Sequence, residues 1–297
     1  MAYHEENGRT YHALAQGKYA LPNDSTEIER LDIQHELLIR TLDGELSICP
    51  GSENAKRVLD IGTGTGAWAI DYGACHPAHP DGHPDAEVIG VDLSPIQPSF
   101  VPPNCRFEID DLEEEWTWSV KFDFIMCRMM LGSFADFPRI VQKAYDNLEP
   151  GGWLEIQDLA IPARCDDETL APDSYLMSWS NYILQAAANA GRPVFPVTEY
   201  VNYMKDAGFE EVVEVRRKWP TNTWPRDKNF KELGMWSYAN FGRNLEGLSL
   251  AHFTRGLGWT AEATLLYCAE TRKELKNPNI HAYWAMYFVY GRKPLKK

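Results

Sequence analysis

Three glycines at alternate positions, Gly62, Gly64 and Gly66, follow the apolar run Val58-Leu59-Asp60-Ile61 and precede a helix-forming segment that starts at Ala67. Glycine adopts backbone angles closed to other residues and lets a ligand approach the chain. A glycine loop between a strand and a helix is therefore a place to hold a nucleotide-like group. The spacing is G-x-G-x-G rather than G-x-G-x-x-G, and taken alone it also describes a tight turn. Two acidic positions strengthen the case. Asp92 closes the next apolar run, Glu87 to Val91, where a carboxylate can bind both hydroxyls of a ribose. Asp110-Asp111-Leu112 ends a third run, Cys105 to Ile109, where a carboxylate can accept from an adenine amino group. Together they describe a pocket for an adenosyl group that needs no phosphate.

Other side chains compete for chemical roles. Arg128 follows the fourth apolar run and points to the mouth of such a pocket; the alternative is an ion pair with Asp123 or Asp136, since a buried guanidinium needs a partner. His35 lies on an apolar helical stripe and is either a base or a satisfied core histidine. His252 follows Leu248-Ser249-Leu250-Ala251 and is a second candidate base, and His281 precedes the last strand as a structural residue. His76, His79 and His83 share a proline-rich loop. Metal-ligand spacing exists there, but the prolines bar a helix that would present them together, so no metal is expected. Glu113-Glu114-Glu115 reads as a solvated face, and Trp116 and Trp118 as core, with the rim of the adenine pocket as the alternative.

The elements that must position these groups alternate. Asp24 can cap a helix with Glu27 three residues on, and Ile28, Leu31, His35, Leu38 and Leu42 then form one face that stops near Gly44. Short strands follow at 56–61, 87–92, 105–109, 122–127 and 153–157, with helices from Ala67 to about Cys75 and from Phe137 to Leu148. That alternation predicts a doubly wound parallel sheet. Later segments add helices at 173–190 and 197–207, a strand at 209–218, a mostly helical stretch at 225–276 and a final strand at 282–290. Residues 1–23 read as a polar arm carrying Tyr3, Tyr11 and Tyr19 that covers the cleft. The expected division is an arm and lid helix over 1–50 and a sheet domain over 51–297, with helical insertions at about 161–195 and 226–276.

The chain has 297 residues, with 43 acidic against 29 basic side chains and a formal charge of −14. That balance argues against nucleic acid as a partner. No apolar run approaches the ~20 residues of a membrane span, and Met1 to Thr10 lacks a secretory segment. Six scattered cysteines without a Cys-x-x-Cys pair read as reduced thiols in the cytoplasm, with the nucleus as the alternative. Tyr175, Trp179, Tyr182, Phe195, Trp236, Tyr238 and Phe241 supply aromatic surface for an acceptor pocket, or else core.

Val58 to Gly66 resembles the first motif of class I S-adenosylmethionine-dependent methyltransferases, and Val91-Asp92-Leu93-Ser94 their second. Asp110-Asp111-Leu112 resembles the adenine motif, and Leu148 to Glu155 the entry to strand five. Tyr19 to Asp24, Glu27, Arg30-Leu31-Asp32, Gln34-His35, Ser94 to Pro98 and Gly291 to Pro294 are similar to the LaeA-like (TAM-domain) methyltransferases of filamentous fungi. The resemblance implies a Rossmann-like sheet of seven strands, the last antiparallel, under an N-terminal helical lid. It implies that Asp60 with Gly62, Thr63, Gly64 and Gly66 cradles the methionine part of S-adenosylmethionine. Asp92 and Leu93 would hold the ribose, Asp110, Asp111 and Leu112 the adenine, and Arg128 the mouth. The methyl acceptor would be a small aromatic or apolar molecule of secondary metabolism. A nuclear regulator acting through protein partners, a nicotinamide enzyme, and a fold whose cofactor only assists a rearrangement are the alternatives.

Overall fold

The computed structural model describes residues 3–14, 17–74 and 82–295. It opens on a β-hairpin, β1 (His4–Glu6) and β2 (Arg9–Tyr11), with His4 opposite Tyr11 and Glu6 opposite Arg9. Composition predicted only an arm here. Asn7 and Gly8 at the tip hold φ of 51° and 75°, the pair of left-handed residues that a two-residue hairpin turn requires. Arg255 from the far end of the chain pairs with Glu6 at 2.5 Å and lies over the Tyr11 ring at 4.6 Å. Tyr11 is buried there, whereas Tyr3 is exposed.

Helix α1 (Ser25–Thr41) starts where Asp24 accepts the Glu27 amide at 3.1 Å. Beyond its end Gly44, at φ 106°, donates its N–H to the Ile39 carbonyl at 2.9 Å. The predicted stripe is buried at His35, Leu38 and Leu42. A second, polar face is buried too, through Glu27, Arg30 and Gln34. Periodicity assigns those residues to solvent; they are dry because α1 is covered on two sides.

The sheet follows the predicted alternation. β3 (Arg57–Ile61), α2 (Ala67–Gly73), β4 (Glu87–Asp92), β5 (Cys105–Ile109), β6 (Phe122–Arg128), α3 (Phe137–Asn147) and β7 (Leu148–Leu159) build five parallel strands in the order β5-β4-β3-β6-β7. β7 begins earlier than expected. It takes Pro150-Gly151-Gly152 into the strand, and the pairing with β6 shifts register between Phe122 and Phe124. β8 (Arg164–Cys165), α4 (Tyr175–Asn189), α5 (Tyr200–Ala207) and β9 (Glu210–Pro220) come next. α6 (Lys228–Ser237), α7 (Leu245–Ala251), α8 (Ala261–Lys276) and β10 (Ala282–Arg292) complete the chain. β10 runs antiparallel to β7 on one side and β9 on the other, so seven strands make the main sheet and β8 adds a two-residue extension.

Both faces are covered, and β10 shows how. Its Tyr283, Ala285, Tyr287 and Val289 join the cluster built with α3 and α5. The alternate residues Trp284, Met286 and Phe288 join the cluster built with α1, α4, α7 and α8. Period-two alternation thus serves two apolar faces at once. A third cluster sets Trp68 and Tyr72 of α2 against Phe124 and Met126 of β6.

Gly8→Val is expected to fray the hairpin, because a branched residue at positive φ costs about 1–2 kcal/mol. Hydrogen exchange at residues 4–11 should accelerate while the main sheet melts as before. Unchanged exchange at Thr10 would mean that the turn tolerates the side chain.

Candidate functional site

A cavity opens at the carboxyl ends of β3, β4 and β6, where an open α/β sheet binds ligands. Its floor is Asp60 and the loop through Gly62, Thr63, Gly64 and Thr65; Asp92, Leu93, Asp110, Asp111 and Leu112 form one wall. Lys18, Tyr19, Pro22 and Asn23 of the arm, with Glu27, Leu31, Gln34 and His35 of α1, form the roof. Gly66 stands outside the walls as the left-handed residue that starts α2, with φ of 80°.

Gly62 and Gly64 hold φ of 67° and 58°, a conformation that disfavours any side chain. The Gly64 amide donates to Asp92 Oδ2 at 2.9 Å, and Gln97 Nε2 donates to the Gly64 carbonyl at 2.6 Å. Both bonds lock the loop against the end of β4. Asp92 Oδ1 accepts from the Ser94 amide at 2.9 Å. Burial pushes the Asp92 carboxyl up, against the pull of these amides. Burial also pushes Asp60 up, to about 6, opposed by the Thr63 hydroxyl at 2.6 Å and by Arg128.

Further along the same wall charge pairs decide. Burial is the largest influence on Asp111 and raises it, but the bond from Lys18, the Glu113 amide and the charges of Lys18 and Arg192 together leave it lowered. Glu113 follows the same pattern, pulled down by the Ala135 amide at 2.8 Å and by Arg192 at 2.6 Å. The acidic run is therefore no uniform solvated face: Glu114 and Glu115 are exposed, while Glu113 lines the cavity. Asp110 Oδ1 accepts the Asp111 amide at 2.8 Å.

Arg128 has neither partner weighed for it. Asp123 accepts the amides of Lys56 and Arg57, and Asp136 caps α3. Arg128 Nη2 instead meets His35 Nδ1 at 2.9 Å, and His35 Nε2 meets Asp71 Oδ2 at 2.9 Å. A guanidinium only donates, so His35 Nδ1 is the acceptor and Nε2 carries the proton toward Asp71. The nitrogen that a base would use is thus engaged. Burial lowers the Arg128 guanidinium to about 10, with Asp60 opposing.

His252 is not in the cavity wall. Its Nδ1 lies 2.9 Å from the Leu248 carbonyl, and burial lowers the ring to about 4. The aromatic set expected around an acceptor also lies elsewhere. Trp179 donates to Ser249 Oγ at 2.8 Å and sits edge-on to Trp284, Phe241 packs against Trp219 and Trp284 of the sheet, and Tyr182 packs among Phe253, Trp259 and Tyr267. These rings fill the interior between the sheet and the helical cap formed by α4 and α6 to α8, so aromatic content was a core signal. His281 bonds Asp167 and lies against the Trp224 ring, and His83 stacks on Tyr72. His76 and His79 lie outside the described residues. Among the described residues no group of three or more His, Cys, Asp or Glu side chains is placed to hold a metal, and no helix is long and apolar enough to cross a membrane.

Sequence reasoning missed Lys18, Met129, Met130 and Arg192, all of which line the cavity. Met129 holds φ of 56°, a rare conformation for a long side chain that recurs at binding sites. Nothing local in the sequence announces it.

Residues 33–215 match the methyltransferase domain family. The chain is 38% identical to the methyltransferase pytC of Aspergillus terreus, covering 98% of this chain and 88% of that one. It is 38% identical to the secondary metabolism regulator LAE1 of Cochliobolus heterostrophus, covering 97% and 94%. It is 36% identical to the protein-methionine methyltransferase laeA of Emericella nidulans, covering 99% and 77%. Among solved structures the [4+2]-cyclase SpnF aligns over 89% of this chain and 82% of its own, with a TM-score of 0.51 at 16% identity. The sheet order, the glycine loop and these near full-length relatives agree: the chain belongs to the methyltransferase domain family and is an S-adenosylmethionine-dependent methyltransferase.

Proposed function

We propose that the protein methylates a small molecule of fungal secondary metabolism, enclosed beneath the arm and α1. The observation that carries this reading is the roof. Lys18 reaches across the cavity to Asp111 and Glu113, and Tyr19, Pro22 and Asn23 continue the cover into α1. An acceptor has to fit under that cover, which suits a small molecule better than a folded surface. Leu31, Met129, Met130 and Phe134 line the same space, favouring an acceptor with an apolar body. The 36% identity to a protein-methionine methyltransferase supports a second reading, a regulator that modifies or binds protein partners. The cytoplasm is the proposed compartment, consistent with five unpaired thiols among the described residues; the nucleus belongs to the second reading.

S-adenosylmethionine fits the residues present. A Cβ on Gly64 would stand 3.5 Å from Leu31 and fill the gap between loop and roof. Bound there, it supplies an electrophilic methyl group on a sulfonium. Asp60 is proposed to hold the methionine ammonium, with the backbone from Gly62 through Thr63 and Gly64 to Gly66 shaping the cradle. Asp92 and Leu93 hold the ribose, and Asp110, Asp111 and Leu112 the adenine. Arg128 receives the methionine carboxylate, and His35 is its positioning residue, fixed by Asp71. Enclosure and alignment supply most of the rate, since positioning alone can contribute about 7–11 kcal/mol.

Asp92→Ala is expected to weaken S-adenosylhomocysteine binding by about tenfold to a hundredfold, the worth of a charged hydrogen bond of about 1.5–3 kcal/mol. Calorimetry checks the affinity. Methyl-labelled S-adenosylmethionine given to a fungal metabolite extract should put label in the small-molecule fraction. Label confined to protein would favour the second reading.

The Asp60 carboxyl at about 6 gives a pH test. A cationic ligand prefers the ionised form, so affinity is full above that value and falls as pH drops through it. Asp60→Asn should bind S-adenosylhomocysteine more weakly at pH 8 and lose the slope between pH 7 and 5. An unchanged slope would remove Asp60 from the site.

A further inference from the structure

Glu27 plays no part in the assignments above, yet it is one of the most deeply buried charged residues, at 2% exposure, and it lines the cavity. Its backbone N–H serves the Asp24 cap. Its side chain does not return to that cap, as a capping box would have it, but turns inward. Oε1 accepts Nε and Nη2 of Arg30 at 2.9 and 2.7 Å. Oε2 is buried and has no hydrogen-bond partner among the described residues. Arg30 does not supply one: its Nη1 is directed to Gln34 Oε1 and Asn240 Oδ1 at 2.9 and 2.8 Å, and its bonds from Nε and Nη2 both end on Oε1. Other cavity carboxylates have donors: Asp60 has Thr63, Asp92 two amides, Asp111 Lys18 and Glu113 Arg192. A buried oxygen without a donor is an incomplete site.

We infer that Glu27 Oε2 is the group that receives the methyl acceptor, hydrogen-bonding its nucleophilic O–H or N–H and taking the proton as the methyl group transfers. This rests on the reading of the cavity as a methyl-transfer site. Glu27 stands on the roof helix, one turn before Leu31, whose Cδ1 faces Gly64 of the floor. It therefore lies across the cavity from the residues assigned to the cofactor. The step balances. A lone pair of the acceptor forms the new bond to carbon, the carbon–sulfur bond breaks with its electron pair going to sulfur, and the acceptor's proton passes to Glu27. The acceptor class follows: an alcohol, phenol, amine or amide, whose nucleophile carries a proton. A thioether has none to give and no use for this carboxylate.

The test uses two ligands that differ at the reacting centre. S-adenosylhomocysteine carries a bare thioether there, and sinefungin carries a carbon bearing an ammonium in place of the methylated sulfur. Calorimetry on the full chain should show sinefungin binding about tenfold tighter, the scale of one charge-assisted hydrogen bond. Glu27→Gln should reduce that preference to about twofold or less while S-adenosylhomocysteine affinity stays unchanged. Glu27→Asp, which keeps the charge and withdraws the oxygen, serves if the first variant does not fold, and should also lose preference. A preference that survives either substitution overturns the inference. So does a parallel fall for both ligands, which would place Glu27 against the cofactor's own ammonium. Failure of the unaltered protein to bind S-adenosylhomocysteine would instead overturn the methyl-transfer reading itself.

Discussion

A buried guanidinium with all its reach spent inside the protein fixes the roof of the cavity. Arg30 bonds Glu27, Gln34 and Asn240, and Asn240 belongs to the π-helical turn between α6 and α7. Removing a charge from water costs several kcal/mol unless close partners compensate. Separating α1 from the cap would break that compensation. On its other flank α1 meets the sheet through His35, Arg128 and Asp71. The helix is thus tied on two sides by directional polar contacts. Thr41 adds a third tie, accepting Trp219 Nε1 at 2.6 Å.

This double attachment explains the electrostatics beneath. Beneath the roof four cavity carboxylates divide by the kind of partner they have. Asp111 and Glu113 are paired and lowered, by Lys18 and Arg192. Asp60 and Asp92 are mainly hydrogen-bonded to neutral groups and raised. Asp158, just behind Met129 and Met130 at the end of β7, is pushed up to about 7 by burial despite the Tyr200 hydroxyl at 3.1 Å. An acidic, desolvated lining of this kind favours a ligand that brings positive charge with it, which a sulfonium and an ammonium do. The chain's charge of −14 points the same way only through these few residues.

What the sequence revealed was local. The glycine loop, Asp92, the Asp24 cap and the strand alternation each depend on neighbours within a few residues, and each stands where it was expected. Asn7-Gly8 was equally local, a hairpin signal, and went unread because the flanking strands are only three residues long and polar. The remaining surprises are tertiary. Whether Glu27 faces solvent or a cavity depends on Asn240, 213 positions later. The rings of Trp179, Phe241 and Tyr182 were available for core or ligand, and the volume between cap and sheet took them. His35 keeps the address given by its helical stripe, but its role turns on which atom of Arg128 arrives.

The ties that hold the roof differ in strength along the chain, and that difference bears on how ligands come and go. The hairpin is held by Arg255 to Glu6, and Arg9 joins it to Asp24 at 2.5 Å. α1 is held by its buried polar contacts. Between them the segment is held by the Tyr19 amide, which donates to His12 Nε2 at 3.2 Å, and by Lys18, whose pair with Asp111 is partly exposed. Such a pair contributes about 0–1 kcal/mol, far less than the contacts at either end. The energetic cost of uncovering the cavity is therefore least at Lys18, with both flanks staying in place. Lys18 meets Asp111 of the wall proposed for adenine, so under that proposal a bound adenosyl group and the closed arm would stabilise one another. Cofactor binding and acceptor enclosure would then form one linked equilibrium, in which the arm need not be strong because the ligand completes it.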